Sequence, residues 1–181
     1  MDSGIIYMVL REESKMGFQG VIQPVIINID ENIRLRNPDK SQWEMALPWY
    51  QNPKVLYFSE GIKDKVYDMD IINRMYGYLS TIGELYFIEI LEDEVWKPIG
   101  DVTLSEKNMP IAIGEEKYWG IGIGKKVISK LIERAKVIGL SKICIPAIYL
   151  YNNRSQALFT SMGFIEVSKN DKEKSYELDL G

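Results

Sequence analysis

The sequence predicts an α/β fold of the α+β kind: a mixed, mostly antiparallel twisted sheet, a central pair of parallel strands that splay apart, and about four helices. Three observations carry this reading. Two apolar-rich segments, 84–91 and 95–104, flank the acidic turn Glu92-Asp93-Glu94, which is the pattern of an antiparallel hairpin. Segments 109–113 and 142–150 read as strands on either side of an amphipathic helix, and that βαβ order makes them parallel neighbours. Pro146 lies inside the second of them and removes a ladder donor, so the two strands part and leave a slot lined with free backbone groups.

The elements follow in order. Residues 5–10, 21–29 (interrupted by Pro24) and 33–35 are predicted strands, the first two paired as an added hairpin. Asp39 caps a short helix that runs to Leu47 and stops at Pro48, after which a loop carries Trp49, Tyr50, Asn52 and Pro53. Asp68 or Asp70 opens a second helix with Ile71, Ile72, Met75, Tyr76 and Leu79 on one face, closed by Gly83. After the hairpin and the strand 109–113, a third helix carries Val127, Ile128, Leu131, Ile132, Ala135 and Ile138 at helical spacing. The strand 142–150, a helix over 153–162 and a hairpin of 164–168 with 175–180 complete the chain. No internal repeat or linker is present in the sequence.

At 181 residues, 46% hydrophobic and 27% charged, the chain has the composition of one globular domain. The apolar run 5–10 is too short and too closely flanked by charge for a signal peptide or a membrane span, and a cytoplasmic protein is expected. The single cysteine, Cys144, excludes an intrachain disulfide and reads as a small core side chain. With no histidine there is no Cys/His zinc site, no Ser-His or Cys-His pair and no imidazole base, so no metal is expected. Charge is split unevenly: 11 basic against 18 acidic residues through Asn108, and 11 against 8 beyond it. The balance suits an anionic ligand in the second half and a cationic partner near the first, and it disfavours nucleic acid.

The third helix is preceded by Trp119-Gly120-Ile121-Gly122-Ile123-Gly124-Lys125. Alternate glycines remove the Cβ, and the unpaired amides of a helix N-terminus suit a phosphate or pyrophosphate, with Lys125 and Lys126 adding charge. Gly124 is followed by Lys-Lys-Val, so this is no Walker A loop; the third glycine of a dinucleotide fingerprint is also missing. By itself the segment fits two readings, a phosphate turn of another kind or a glycine-rich helix start that binds nothing.

With MPIAIG, YWGIGIGKKVISKLIERA and YNNRSQALFTSMGF in this order, the chain resembles the GNAT-superfamily N-acetyltransferases over about residues 33–181, with motif-level likeness over 99–164. The resemblance implies a GNAT-like single domain, with residues 1–32 an N-terminal extension. It implies that Ile111, Ala112 and Ile113 pair with the pantetheine arm of acetyl-CoA as if it were an extra strand. Trp119, Gly120, Ile121, Gly122, Ile123, Gly124 and Lys125 match the pyrophosphate turn, Trp119 through its backbone amide. Asn152 matches the asparagine that contacts pantetheine, and Ser155 and Phe159 lie on the helix beside it. Two departures stand out: Phe159 replaces a tyrosine that returns a proton to the thiolate in many relatives, and Ala147 replaces the glutamate of ribosomal-protein N-terminal acetyltransferases.

The implied activity is transfer of the acetyl group of acetyl-CoA to a primary amine by direct attack in a ternary complex. The acceptor is expected to be a small cationic amine, polyamine- or aminoglycoside-like. A peptide N-terminus, or a non-catalytic acetyl-CoA sensor, are the alternatives. Monomer and homodimer are both open. A lysine-like amine is neutral only about once in 2,500 molecules at pH 7, so a carboxylate base is wanted. Glu89 and Asp101 are the candidates, each equally readable as a solvated or cross-strand-paired acid. Tyr149, Tyr151 or water can replace the missing acid. Trp43, Trp49, Tyr50, Tyr57 and Tyr76 supply aromatic surface for the acceptor side or, at the same spacings, a core.

Overall fold

The computed structural model describes residues 17–181, so the strand expected at 5–10, with its hairpin, lies outside the described residues. Strands β1 (Ile26–Asn28), β2 (Ile33–Arg36), β3 (Glu84–Glu92), β4 (Val95–Leu104) and β5 (Ile111–Ile113) form one antiparallel sheet in that order. The β3–β4 hairpin turns through Asp93 and Glu94 at φ 51° and 62°, the left-handed values that match a two-residue turn to strand twist. Between β2 and β3 lie a 3₁₀ segment (Lys40–Ala46) and three helices, α1 (Leu47–Tyr50), α2 (Pro53–Glu60) and α3 (Met69–Ile82). Asp68, not Asp70, caps α3, its carboxylate accepting from Ile71 N at 2.9 Å.

Two expectations change here. Pro48 does not end the helical stretch; it sits in the first turn of α1, where its missing N–H is no loss. Of the residues expected in the following loop, Trp49 and Tyr50 belong to α1 and Pro53 starts helix α2. Asn52 caps it through Lys54 N at 2.9 Å, Pro53 begins it and Gly61 closes it at φ 66°. The α-helices therefore number five among the described residues, with α4 (Ile123–Val137) and α5 (Asn153–Ser161) in the second half.

Strands β6 (Lys142–Tyr149), β7 (Ile165–Lys169) and β8 (Glu173–Asp179) form a second antiparallel sheet in the order β6-β8-β7. The expected parallel pair, β5 and β6, shares no ladder; Cys144 N donates to Glu106 O at 2.8 Å just before β5, and the strands then belong to different sheets. Proline shapes both sides of this gap. Pro110 bounds β5 with no donor of its own, and Pro146 with Ala147 forms a bulge between Ile145 and Ile148 against β8.

Two cores flank the first sheet, as the alternation of a strand buried on both faces requires. Tyr86, Ile88, Val102 and Leu104 face α4, whose Val127, Ile128, Leu131 and Ala135 are fully buried beside β6 and β8. Leu85, Phe87 and Ala112 face the helices before β3, packed on Trp43, Trp49, Tyr50, Leu56, Ile72 and Tyr76. Arg134 on α4 closes the first core at its edge, paired with buried Glu84 at 2.6 Å. Cys144 is only half-buried, with Sγ 3.6 Å from Glu177 Oε1, and desolvation raises its thiol pKa. Among the described residues no helix is long and apolar enough to cross a membrane.

Candidate functional site

The free edge of β5 is the starting point. Thr103 N donates to Pro110 O at 3.1 Å and Gly114 N to Ile99 O at 2.8 Å, so alternate residues direct their backbone groups at β4. Ile111 and Ile113 direct theirs to the opposite edge. That edge is available to an extended chain, except that the Trp119 indole donates to Ile113 O at 2.6 Å. Gly114 allows this crowding, since a Cβ there would lie 2.1 Å from the Trp49 ring.

The glycine turn lies at the end of this edge. Gly120 and Gly122 have φ of 76° and 91°, and Gly122 is the N-cap of α4 with no side chain capping the first turn. A Cβ built on either glycine meets nothing within 4 Å, so the space beside these amides is open. Ile121 and Lys125 are exposed, Ile123 is buried beneath the turn, and Gly124 lets α4 approach Leu158 of α5. An uncapped helix start with open backbone and an exposed lysine fits a pyrophosphate. Lys126 is held by Asp30 at 2.7 Å, an ion pair that lowers the Asp30 pKa. The Trp119 amide, expected in the turn's cradle, instead donates to Glu116 O at 3.0 Å, because a 3₁₀ turn precedes it.

Across the gap, Asn152 caps α5 through Ser155 N at 3.1 Å, and its amide donates to Phe58 O at 3.0 Å. Both polar ends are thus committed, and Ser155 lies half-buried on the same turn. Tyr149 and Tyr151 hydroxyls donate to Glu60 O at 3.0 Å and Tyr57 O at 2.6 Å. Three side chains from the β6–α5 side therefore satisfy the last carbonyls of α2 and join it over the gap. Desolvation raises both tyrosines, Tyr151 to about 12, so each keeps its proton at neutral pH. The Phe159 ring is buried in the first core, which also holds Ile145 and Ile148 of β6, and lies edge-on to Phe164 at 5.1 Å.

The two candidate bases have different surroundings. Glu89 on β3 is buried with one oxygen 2.7 Å from Arg34 Nε and the other 2.5 Å from Arg36 Nε, and β4 separates it from β5. Asp101 stands in register between Phe87 of β3 and Ala112 of β5, on the face covered by α1 and α3. Tyr50 and Tyr76 hydroxyls both donate to its Oδ2, at 2.9 and 2.8 Å. Burial outweighs those two hydrogen bonds and pushes Asp101 up to about 7. The same burial, with Asp101 beside them, drives Tyr50 and Tyr76 well above 10.

A residue that sequence reading passed over is Glu60, the last of α2. Desolvation raises its carboxyl, and its charge is felt at Tyr67, Tyr149, Tyr50 and Asp101. Of the aromatics expected on the acceptor side, Trp43, Trp49, Tyr50 and Tyr76 are core, and only Tyr57 is half-exposed. Among the described residues no group of His, Cys, Asp and Glu side chains could hold a metal ion.

A strand edge opposite a second sheet, ended by bare helix amides, defines a receptor for an extended chain with an anionic terminus. The chain belongs to the acetyltransferase (GNAT) family, whose model matches residues 43–164. It is 29% identical over 162 residues, 85% of this chain, to an uncharacterised protein of Methanocaldococcus jannaschii, and spans about a third (32%) of that relative's length. A crystal structure of a domain from Methanocaldococcus jannaschii superposes with TM-score 0.73 at 26% identity, covering 83% of this chain and 99% of that one. The spermidine N-acetyltransferase of Vibrio cholerae, solved with CoA and spermine, superposes with TM-score 0.64 at 16% identity, covering 83% and 97%.

Proposed function

We propose that the protein is an acetyl-CoA-dependent N-acetyltransferase whose acceptor is a small cationic amine. The observation that carries this reading is the gap between β5 and β6, which ends at the αL glycines and the uncapped start of α4. In it, Ile111 and Ile113 pair with the pantetheine arm, after the Trp119 indole leaves Ile113 O. The amides from Gly120 to Lys125 hold the pyrophosphate, and Asn152 and Ser155 border the arm from α5. Family membership and the fold shared with a CoA- and spermine-bound acetyltransferase support this assignment.

Bound there, acetyl-CoA supplies an acyl group activated as a thioester. Asp101 is the base: at about 7 it is half-ionised at neutral pH, close to the optimum for taking a proton from an ammonium. The Tyr50 hydroxyl, already donating to Asp101, carries that proton inward. The freed nitrogen forms a bond to the acetyl carbon, the carbon–sulfur bond breaks, and the proton that the nitrogen sheds on becoming an amide reaches the thiolate through Tyr149, Tyr151 or water. A thiol of pKa near ~8.5 is a tolerable leaving group, so losing a tyrosine at Phe159 is survivable.

The test is thiol release from acetyl-CoA with a panel of amines. Amine-dependent release above hydrolysis supports the reading. Coenzyme A binding without such release would leave a sensor module, a reading that the buried Phe159 ring and Ala147 favour.

A further inference from the structure

The Trp119 side chain reaches back from the glycine turn into the gap. Its indole N–H donates at 2.6 Å to Ile113 O, a carbonyl on the edge of β5 that faces away from β4. The Arg154 guanidinium of α5 lies over the ring at 4.6 Å, and Phe58 of α2 meets it edge-on at 6.2 Å, the planes 89° apart. The indole thus bridges the gap from β5 to α5, with α2 against its side.

The backbone that carries this ring is held independently of it. Trp119 N donates to Glu116 O at 3.0 Å, and the Glu116 carboxylate accepts from Lys54 Nζ at 2.6 Å and Asn52 Nδ2 at 3.3 Å. Those bonds fix the 3₁₀ turn before Trp119 to the start of α2. Leaving Ile113 O therefore takes rotation of one side chain and no movement of the chain. The indole is half-buried and Arg154 is exposed, so burial does not lock the ring in place. An N–H set on the outward carbonyl of an edge strand fills the position that the next strand would take.

We propose that Trp119 is an internal competitor for the cofactor: its indole N–H stands in for an amide of the pantetheine arm, and acetyl-CoA binds the molecules in which the indole has swung off Ile113 O. The proposal rests on the reading of the gap as the acetyl-CoA site. Apparent affinity is then reduced by the fraction of molecules that are closed, and a change that empties the closed state tightens binding.

Trp119→Phe keeps a ring for Phe58 and Arg154 and deletes the donor. With the closed form in the majority, the net worth of one neutral hydrogen bond translates into a Kd for coenzyme A about fivefold below wild type, measured by calorimetry. Phe58→Leu, which frees the side of the indole, should shift the Kd in the same direction. Tryptophan emission is the second readout. Coenzyme A should change the emission of the wild type, and Trp119→Phe, which retains Trp43, Trp49 and Trp96, should lose that change. Equal or weaker binding by either variant with unaltered circular dichroism, or the same emission response in wild type and Trp119→Phe, would overturn the proposal and leave the cofactor site standing. No binding of coenzyme A by the wild type or the variants would overturn the site and the proposal together.

Discussion

Replacing Asp101 by Asn tests the assignment of the base through stability and activity at once. The Asp101 carboxyl has a pKa of about 7 in the folded protein against 3.8 when exposed. Between those values the folded state holds a proton that the unfolded chain has lost, so stability falls as pH rises from about 4 to about 7 and then levels off. Three units at about 1.4 kcal/mol each give a cost of about 4 kcal/mol above pH 7. About 3 kcal/mol of that develops between pH 5 and pH 8.5. Asparagine keeps a carbonyl oxygen for the Tyr50 and Tyr76 hydroxyls but carries no charge. Asp101→Asn should therefore gain about 3 kcal/mol on the wild type as pH is raised over that range, while losing roughly 10²-fold or more in turnover. Urea denaturation at the two pH values measures the first and thiol release the second. Stability curves that stay parallel with pH, or turnover within a fewfold of wild type, would refute the reasoning.

Three further substitutions address the rest of the site. Gly122→Val places a branched side chain at φ 91° in open space, so it should cost about 1–2 kcal/mol of stability and abolish the rise in Tm on adding acetyl-CoA. Asn152→Ala removes the cap of α5 and the bond to Phe58 O; a loss of about 1 kcal/mol or more in denaturation and weaker coenzyme A binding are expected. Glu89→Gln leaves Arg34 and Arg36 without their buried counter-charge, and should destabilise by about 3–5 kcal/mol while the folded fraction retains its kcat. A lost kcat in that variant at full stability would return Glu89 to the chemistry.

Much of the second half was legible because its signals are local. Alternate glycines before a helical stripe gave the turn and α4, and the acidic pair Asp93-Glu94 between strands gave the hairpin. What sequence could not give was set by distant contacts. Asn52-Pro53 reads as loop in the sequence, and packing of Val55 and Leu56 in the core that holds Ala112 makes it the start of α2. The two candidate acids look alike on neighbouring strands; only the partners separate them, two arginines from β2 for Glu89 and two tyrosines from the helices for Asp101. The parallel pairing of β5 and β6 was expected to weaken at Pro146, and the structure extends that break to separate sheets. Glu60 carried no sequence signal, since an acid at a helix end is ordinary until Tyr149 is found donating to its carbonyl.

The most direct measurement is a calorimetric titration of the folded protein with acetyl-CoA. The account predicts saturable binding at one site per chain, which Gly122→Val loses while its circular dichroism stays that of the wild type. A wild-type titration with no binding heat at temperatures on either side of 25 °C would contradict the assignment of the gap between β5 and β6.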